Sequence, residues 1–149
     1  MVSKTIKALS LWQPWASLIA MGEKHYETRS WATDYRGPLA IHAAKRWTLA
    51  EVQAFSNFNK WFVGLAEKWD YTNDQMHPLP LGAVVCVAKL VDVVPTHSLV
   101  QISFREYAFG NYAPGRFAWK LELVNVFEQP VAAKGSQGLW TWKWEGGAG

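Results

Sequence analysis

Apolar and polar positions change period several times along the chain, and each change marks an element. Lys7 to Leu11 reads as a first strand. Pro14 then suits the first turn of a short helix whose apolar face is Trp15, Leu18, Ile19 and Met21, and Gly22 closes it as a C-terminal cap. Residues 23–30 read as a second strand with Glu27 and Arg29 on one face. Lys24 has the opposite parity, so it meets Glu27 only if a bulge intervenes or if it still lies in the turn. Tyr35-Arg36-Gly37-Pro38 is a turn into a third strand, Leu39 to Ala44. Thr48-Leu49-Ala50-Glu51 has capping-box spacing and opens a helix running towards Lys68, with Val52, Phe55, Trp61, Phe62 and Leu65 as its apolar residues. A polar loop follows and ends at Pro78-Leu79-Pro80.

Gly82 to Val94 is a nearly continuous β-branched run, the pattern of a central strand. Residues 96–115 are irregular or partly helical, punctuated by Gly110, Pro114 and Gly115. Arg116 to Phe127 alternates, with Phe117, Trp119, Leu121 and Leu123 opposed to Arg116, Lys120 and Glu122. Lys134-Gly135-Ser136-Gln137-Gly138-Leu139-Trp140 is a glycine-rich turn entering a last strand. Strands and helices that do not strictly alternate predict an α+β domain, a small mixed barrel with peripheral helices. One domain is expected over 1–145, with a helical insertion and loop at 48–80 and a loose tail at 146–149.

Composition narrows the chemistry. Half of the residues are apolar and 18% are charged, which is ordinary for a globular domain, but there are ten tryptophans. Most of these are expected in the core, and an indole outside it offers a face for stacking a base. The net charge of +3 permits an anionic partner, yet no block of Lys and Arg appears. Cys86 is alone in an apolar run and reads as a small buried hydrophobe. His25, His77 and His97 show no ligand spacing, so no metal and no cofactor is expected. The apolar segment after Lys4 and Lys7 is broken by Gln13 and Pro14, which fits neither a signal peptide nor a membrane span; a cytoplasmic protein without an anchor is expected.

The densest cluster of ionisable groups is Gly22-Glu23-Lys24-His25-Tyr26-Glu27-Thr28-Arg29. From spacing alone, Lys24, Glu27 and Arg29 read as an exposed cross-strand ion network. The wider sequence changes that reading. Gly22, Lys24, Glu27 and Arg29 meet the pattern G-x-K-x-x-E-x-R, flanked by Leu9-Ser10-Leu11-Trp12-Gln13-Pro14-Trp15-Ala16 and Tyr35-Arg36-Gly37-Pro38-Leu39-Ala40-Ile41-His42-Ala43. Two later blocks, Tyr107 to Trp119 and Lys134 to Trp140, follow in order. Together these resemble the ASCH domain, the activating-signal-cointegrator homology family of the PUA-like superfamily. The resemblance covers nearly the whole chain except the 48–80 segment. It implies a barrel-like fold with the motif lining a cleft, and an association with RNA and modified bases. Activities assigned within the family include nucleic-acid binding, RNA cleavage and hydrolysis of N-acylated cytidines. The small amidohydrolases of the family carry a threonine where this chain has Glu27, so a threonine nucleophile does not transfer.

With that resemblance the motif reads as a site. A carboxylate in a cleft repels phosphate, but beside a lysine and an arginine it is suited to activating water and steadying an oxyanion. Glu27 is one candidate base, with Lys24 polarising the acyl oxygen and Arg29 orienting the pair; the reverse assignment holds if burial depresses Lys24. Trp12 either stacks on a base or packs in the core, and Gln13 either bonds the base or caps a loop. Tyr112 and Arg116 are candidates to close the cleft, a cross-strand pair being the plainer role for Arg116. Glu106 is the candidate second acid/base, against a plain helix-surface role, and His42 reads as structural. The expected function is hydrolysis of the amide of an N-acylated cytosine or cytidine, the substrate being a small nucleoside or nucleobase. The alternative is a module that binds or cleaves single-stranded RNA.

Overall fold

The structure, a computed structural model, describes residues 4–69 and 78–144. The tail expected at 146–149, His77 and most of the polar loop before Pro78 lie outside these residues. Within them the chain runs β1 (Lys4–Leu11), α1 (Trp15–Ala20), β2 (Tyr26–Arg29), β3 (Gly37–Ala43), α2 (Leu49–Trp61), β4 (Ala83–Pro95), a 3₁₀ turn (Thr96–Ser98), α3 (Phe104–Ala108), β5 (Phe117–Ala132) and β6 (Leu139–Trp144).

The strands form one mixed sheet in the order β2-β5-β4-β3-β1-β6. β1 and β3 are parallel because α1 and β2 lie in the connection between them, and every other neighbouring pair is antiparallel. β4 is central because its first half can be buried on both faces: Ala83 through Ala88 and Leu90 are all buried. The fold is α+β, with the helices peripheral to a six-stranded mixed sheet. The ladder stays open between its two edges, β2 and β6. A side chain draws β2 towards β1, since Arg29 Nη2 donates to the Ser10 carbonyl at 2.8 Å.

β1 starts earlier than expected, at Lys4, and β2 is confined to Tyr26–Arg29; two elements depart further from their expected bounds. The helix predicted to run towards Lys68 stops at Trp61, because Phe62 is extended (φ −118°, ψ 106°) and Gly64 takes a φ of +86°. Phe62 and Leu65 are therefore buried from a turn, while Val52 and Trp61 stay exposed. β5 continues past Phe127 to Ala132. It does so through an irregularity opposite Val84 to Cys86, and Pro130, which has no N–H for the ladder, falls within it.

A second apolar cluster sits under α2, built from Leu18, Phe58, Phe62, Leu65, Trp69, Leu79 and Phe109. Phe109 meets Phe58 and Phe62 at ring-centroid distances of 5.0 and 5.2 Å. The insertion thus packs onto the C-terminal end of α3, the point at which the fold meets the motif.

Candidate functional site: a carboxylate-lined cleft beside β2

The turn after α1 decides where Lys24 points. Gly22 has φ +76°, a conformation L side chains resist, and the amides of Glu23 and Lys24 both donate to the Leu18 carbonyl. Lys24 is thereby held in the turn, two residues before β2 begins at Tyr26. Its side chain is buried, with Nζ donating to the Phe109 carbonyl at 2.8 Å and lying 3.8 Å from Glu27 Oε1. Arg29 Nε donates to Glu27 Oε2 at 2.9 Å. Glu27 therefore sits between two cations, one buried and one at the surface. Burial pulls the Lys24 pKa below its ordinary value and Arg29 pulls in the same direction, while Glu27 and Glu106 oppose them.

Glu27 and Arg29 open onto a cleft of about 370 Å³, whose wall also includes Trp12, Trp15, Thr28 and Arg116. Leu11 and the segment Ala108 to Asn111 complete the lining. Thr28 Oγ1 accepts the Asn111 amide at 3.0 Å, and Arg116 donates to the Asn111 and Thr28 carbonyls at 3.0 and 3.2 Å. Arg116 is thus at the cleft, tied to backbone rather than to a cross-strand carboxylate. Lys24 does not line the cleft; it faces the protein interior behind Glu27.

Three candidates stand elsewhere. Gln13 is fully buried and its amide is saturated: Nε2 donates to Ser17 Oγ and the Pro80 carbonyl, and Oε1 accepts the Ser17 amide. It fixes the start of α1, after a cis Gln13–Pro14 peptide, and has no group left for a base. Glu106 is buried too. Its Oε1 accepts the His25 amide at 2.8 Å and His25 Nδ1 at 3.0 Å, and its Oε2 accepts the Tyr26 amide at 3.2 Å. With both oxygens committed and no share in the cleft wall, Glu106 is a brace for the Lys24–Tyr26 segment rather than a second acid/base. Tyr112 stacks on Tyr107 with ring centroids 5.6 Å apart, behind the cleft wall. Its hydroxyl is buried without a partner among the described residues, and burial together with Glu106, Tyr26 and Glu27 pushes its pKa up.

The Glu106 arrangement carries a prediction. Glu106→Ala strands two backbone donors and removes a carboxylate near buried Lys24. A loss of about 3 kcal/mol in denaturant unfolding is expected, with Glu106→Gln costing less because it keeps one acceptor oxygen. Equal stability of wild type and Glu106→Ala would contradict the brace.

Trp12 is the half-exposed member of the site, at 49%. The Arg46 guanidinium lies 4.1 Å from its ring, and Arg46 Nε donates to Glu51 Oε2 at 2.9 Å. Glu51 is itself buried and its Oε1 accepts both the amide and the hydroxyl of Thr48, which completes the expected capping box. Sequence reading missed this chain of contacts, although the Arg46 to Glu51 spacing beside a capping box was its visible trace. The Phe109 carbonyl that receives Lys24 left no trace, because any residue supplies a carbonyl.

His42 is buried and structural. Nε2 donates to the Ala133 carbonyl at 2.8 Å, so Nδ1 accepts from Ser10 Oγ at 2.9 Å, and burial lowers its pKa. Cys86 is buried and its thiol is pushed up to about 12. Among the described residues no group of three or more His, Cys, Asp or Glu side chains is placed to hold a metal, and no helix is long and apolar enough to cross a membrane.

The sequence model of the ASCH domain matches residues 9–131. Over 133 residues, 89% of this chain, the sequence is 30% identical to Activating signal cointegrator 1 of Homo sapiens. That match covers 21% of the human protein, so the chain spans about a fifth of this relative's length.

Proposed function

The chain belongs to the ASCH domain family, a PUA-like family of RNA-binding domains, and from that premise we propose that the Glu27 cleft receives a single nucleobase of single-stranded RNA. One observation carries the reading: a carboxylate pinned by Arg29, with Lys24 behind it, stands in the wall of a cleft of about 370 Å³. That volume suits one nucleoside-sized ligand. A carboxylate disfavours phosphate there and accepts from the amino or ring N–H groups of a base, as from the cytosine amino group. Trp12 supplies a face for the ring.

A second reading, hydrolysis of an N-acylated cytidine, is supported by the state of Glu27 Oε1. Its neighbouring cation, Lys24 Nζ, is 3.8 Å away, beyond hydrogen-bond reach, so this oxygen can take a proton from water. Water then adds to the acyl carbon, Glu27 passes the proton it took to the leaving nitrogen as the carbon–nitrogen bond breaks, and the products are a carboxylic acid and free cytosine amine. Lys24, bonded to the Phe109 carbonyl and buried, suits support of Glu27 rather than the role of base.

The test pairs two measurements on purified protein. Binding of short cytidine-centred and uridine-centred RNAs is expected to favour cytidine, and mass spectrometry after incubation with N-acylated cytidines reports turnover. Equal binding of both RNAs, with the ranking unaltered in Glu27→Gln, would remove base recognition by the carboxylate. Intact N-acylated cytidine after prolonged incubation would remove the second reading alone.

A further inference from the structure

Beside the cleft lies a groove of about 1250 Å³ that the reading above leaves unused. Trp12 and Arg29 line both spaces and so form their shared wall. A carboxylate separates the two, since the cleft also holds Arg29 and Arg116. Glu27 lines the cleft, whereas the described residues lining the groove include Lys45 and Lys134 and no carboxylate. Arg29 is already bonded to Glu27 and Ser10, but neither lysine makes an ion pair among the described residues.

The groove is held in shape by the sheet. Gly135 lies so close to β1 and β3 that a Cβ there would come within 2.6 Å of Ser10 Oγ and His42 Cε1. His42 also bonds the Ala133 carbonyl, and Trp140 Nε1 donates to Ser10 Oγ at 3.1 Å. The segment carrying Lys134 is thus pinned on both sides of Lys134. Lys45 lies with its stem across Gly82, where a Cβ would come within 2.9 Å of Cε, so its charge is carried on a packed chain. Trp12 is stiffened in turn by Arg46 and Glu51.

We infer that the groove is the backbone subsite of a single RNA strand whose base occupies the cleft. The two phosphodiesters flanking the recognised nucleotide lie one against Lys45 and one against Lys134, and the ring face of Trp12 not covered by Arg46 stacks on the recognised base. The inference rests on the cleft holding a base, and it makes the ligand a nucleotide within a strand rather than a free nucleoside. Each phosphate neutralised on a single strand contributes a slope of about −0.7 to log affinity against log salt. Two lysines that each meet a phosphate account for about −1.4.

The experiment compares wild type with the double variant Lys45→Gln, Lys134→Gln, which keeps most of each stem. Both lysines are exposed, and a melting curve confirms that the variant folds. The probes are a pentanucleotide RNA with a central cytidine, titrated at several salt concentrations, and free cytidine followed by ligand-observed NMR. The double variant is expected to bind the pentanucleotide about tenfold or more weakly at low salt, with a slope shallower by about 1.4 and an unchanged affinity for cytidine. Trp12→Ala is expected to weaken the pentanucleotide by about tenfold through lost stacking. An unchanged slope in the double variant overturns the groove assignment, as does an equal loss for cytidine and pentanucleotide. Failure of the cleft reading looks different: the lysine effect persists while Glu27→Gln leaves the preference for cytidine untouched.

Discussion

Glu27→Gln is expected to lower turnover of an N-acylated cytidine by about 10²–10⁴-fold and to erase about 10–100-fold of preference for cytidine over uridine in bound RNA. Glutamine keeps the length and planarity of the side chain but cannot take a proton from water. It also presents an N–H₂ where a base presents its own. The substitution leaves the Arg29 contact at 2.9 Å with a neutral acceptor and deprives buried Lys24 of its partner at 3.8 Å. Stability must therefore be measured alongside activity, and only a folded variant counts. A turnover rate within a few fold of wild type would eliminate Glu27 as the base. Retained preference for cytidine would eliminate it as the reader of the base edge.

Lys24→Ala is expected to cost about 3–5 kcal/mol, a fall of roughly 10 °C in Tm for a domain of this size. It removes one partner of a buried pair and leaves the Phe109 carbonyl without its donor. Lys24→Met fills the same volume without a charge and should recover much of the loss. The pH dependence separates charge from packing. Folding holds the Lys24 pKa below its ordinary 10.5, chiefly through burial. Between the folded value and 10.5 the unfolded chain binds the extra proton, so the contribution of this group to stability rises with pH across that window. In denaturant unfolding, the stability of wild type relative to Lys24→Met should accordingly rise as pH is raised towards 10.5. A difference that stays flat, or widens against wild type, would show that Lys24 is not strained by its burial.

Much of this site was legible because its parts are close in sequence. Period-two spacing placed Glu27 and Arg29 on one face, and Gly22 marked the turn that brings Lys24 back to them. The choice between a bulge and a turn for Lys24 needed the two amides that close on Leu18, which sequence does not show. Glu106 looked like spare chemistry because its partners are backbone amides some eighty residues away, and an amide has no signature. Gln13 stayed open between a base and a loop cap for the same reason, its partners being Ser17 and the Pro80 carbonyl. The overlong second helix followed from apolar residues at Phe62 and Leu65 that keep helical spacing but are buried after the chain has turned at Gly64. No run of basic residues announced a phosphate track, since Lys45 and Lys134 sit on loops far apart in the chain and meet only across the groove.

The aromatic cluster under α2 has a kinetic meaning for the cleft. Of the α2 residues only Glu51 and Phe58 are buried, so the helix is fastened to the sheet by few side chains and belongs among the parts that open before the whole domain unfolds. Phe58 and Phe62 rest on Phe109, and the Phe109 carbonyl is the acceptor that keeps Lys24 behind Glu27. Each opening of that lid of rings loosens the acceptor and gives water a route to a lysine otherwise sealed from solvent. The pairing around Glu27 therefore has a lifetime as well as a geometry, and amide exchange along α2 is the clock that reads it.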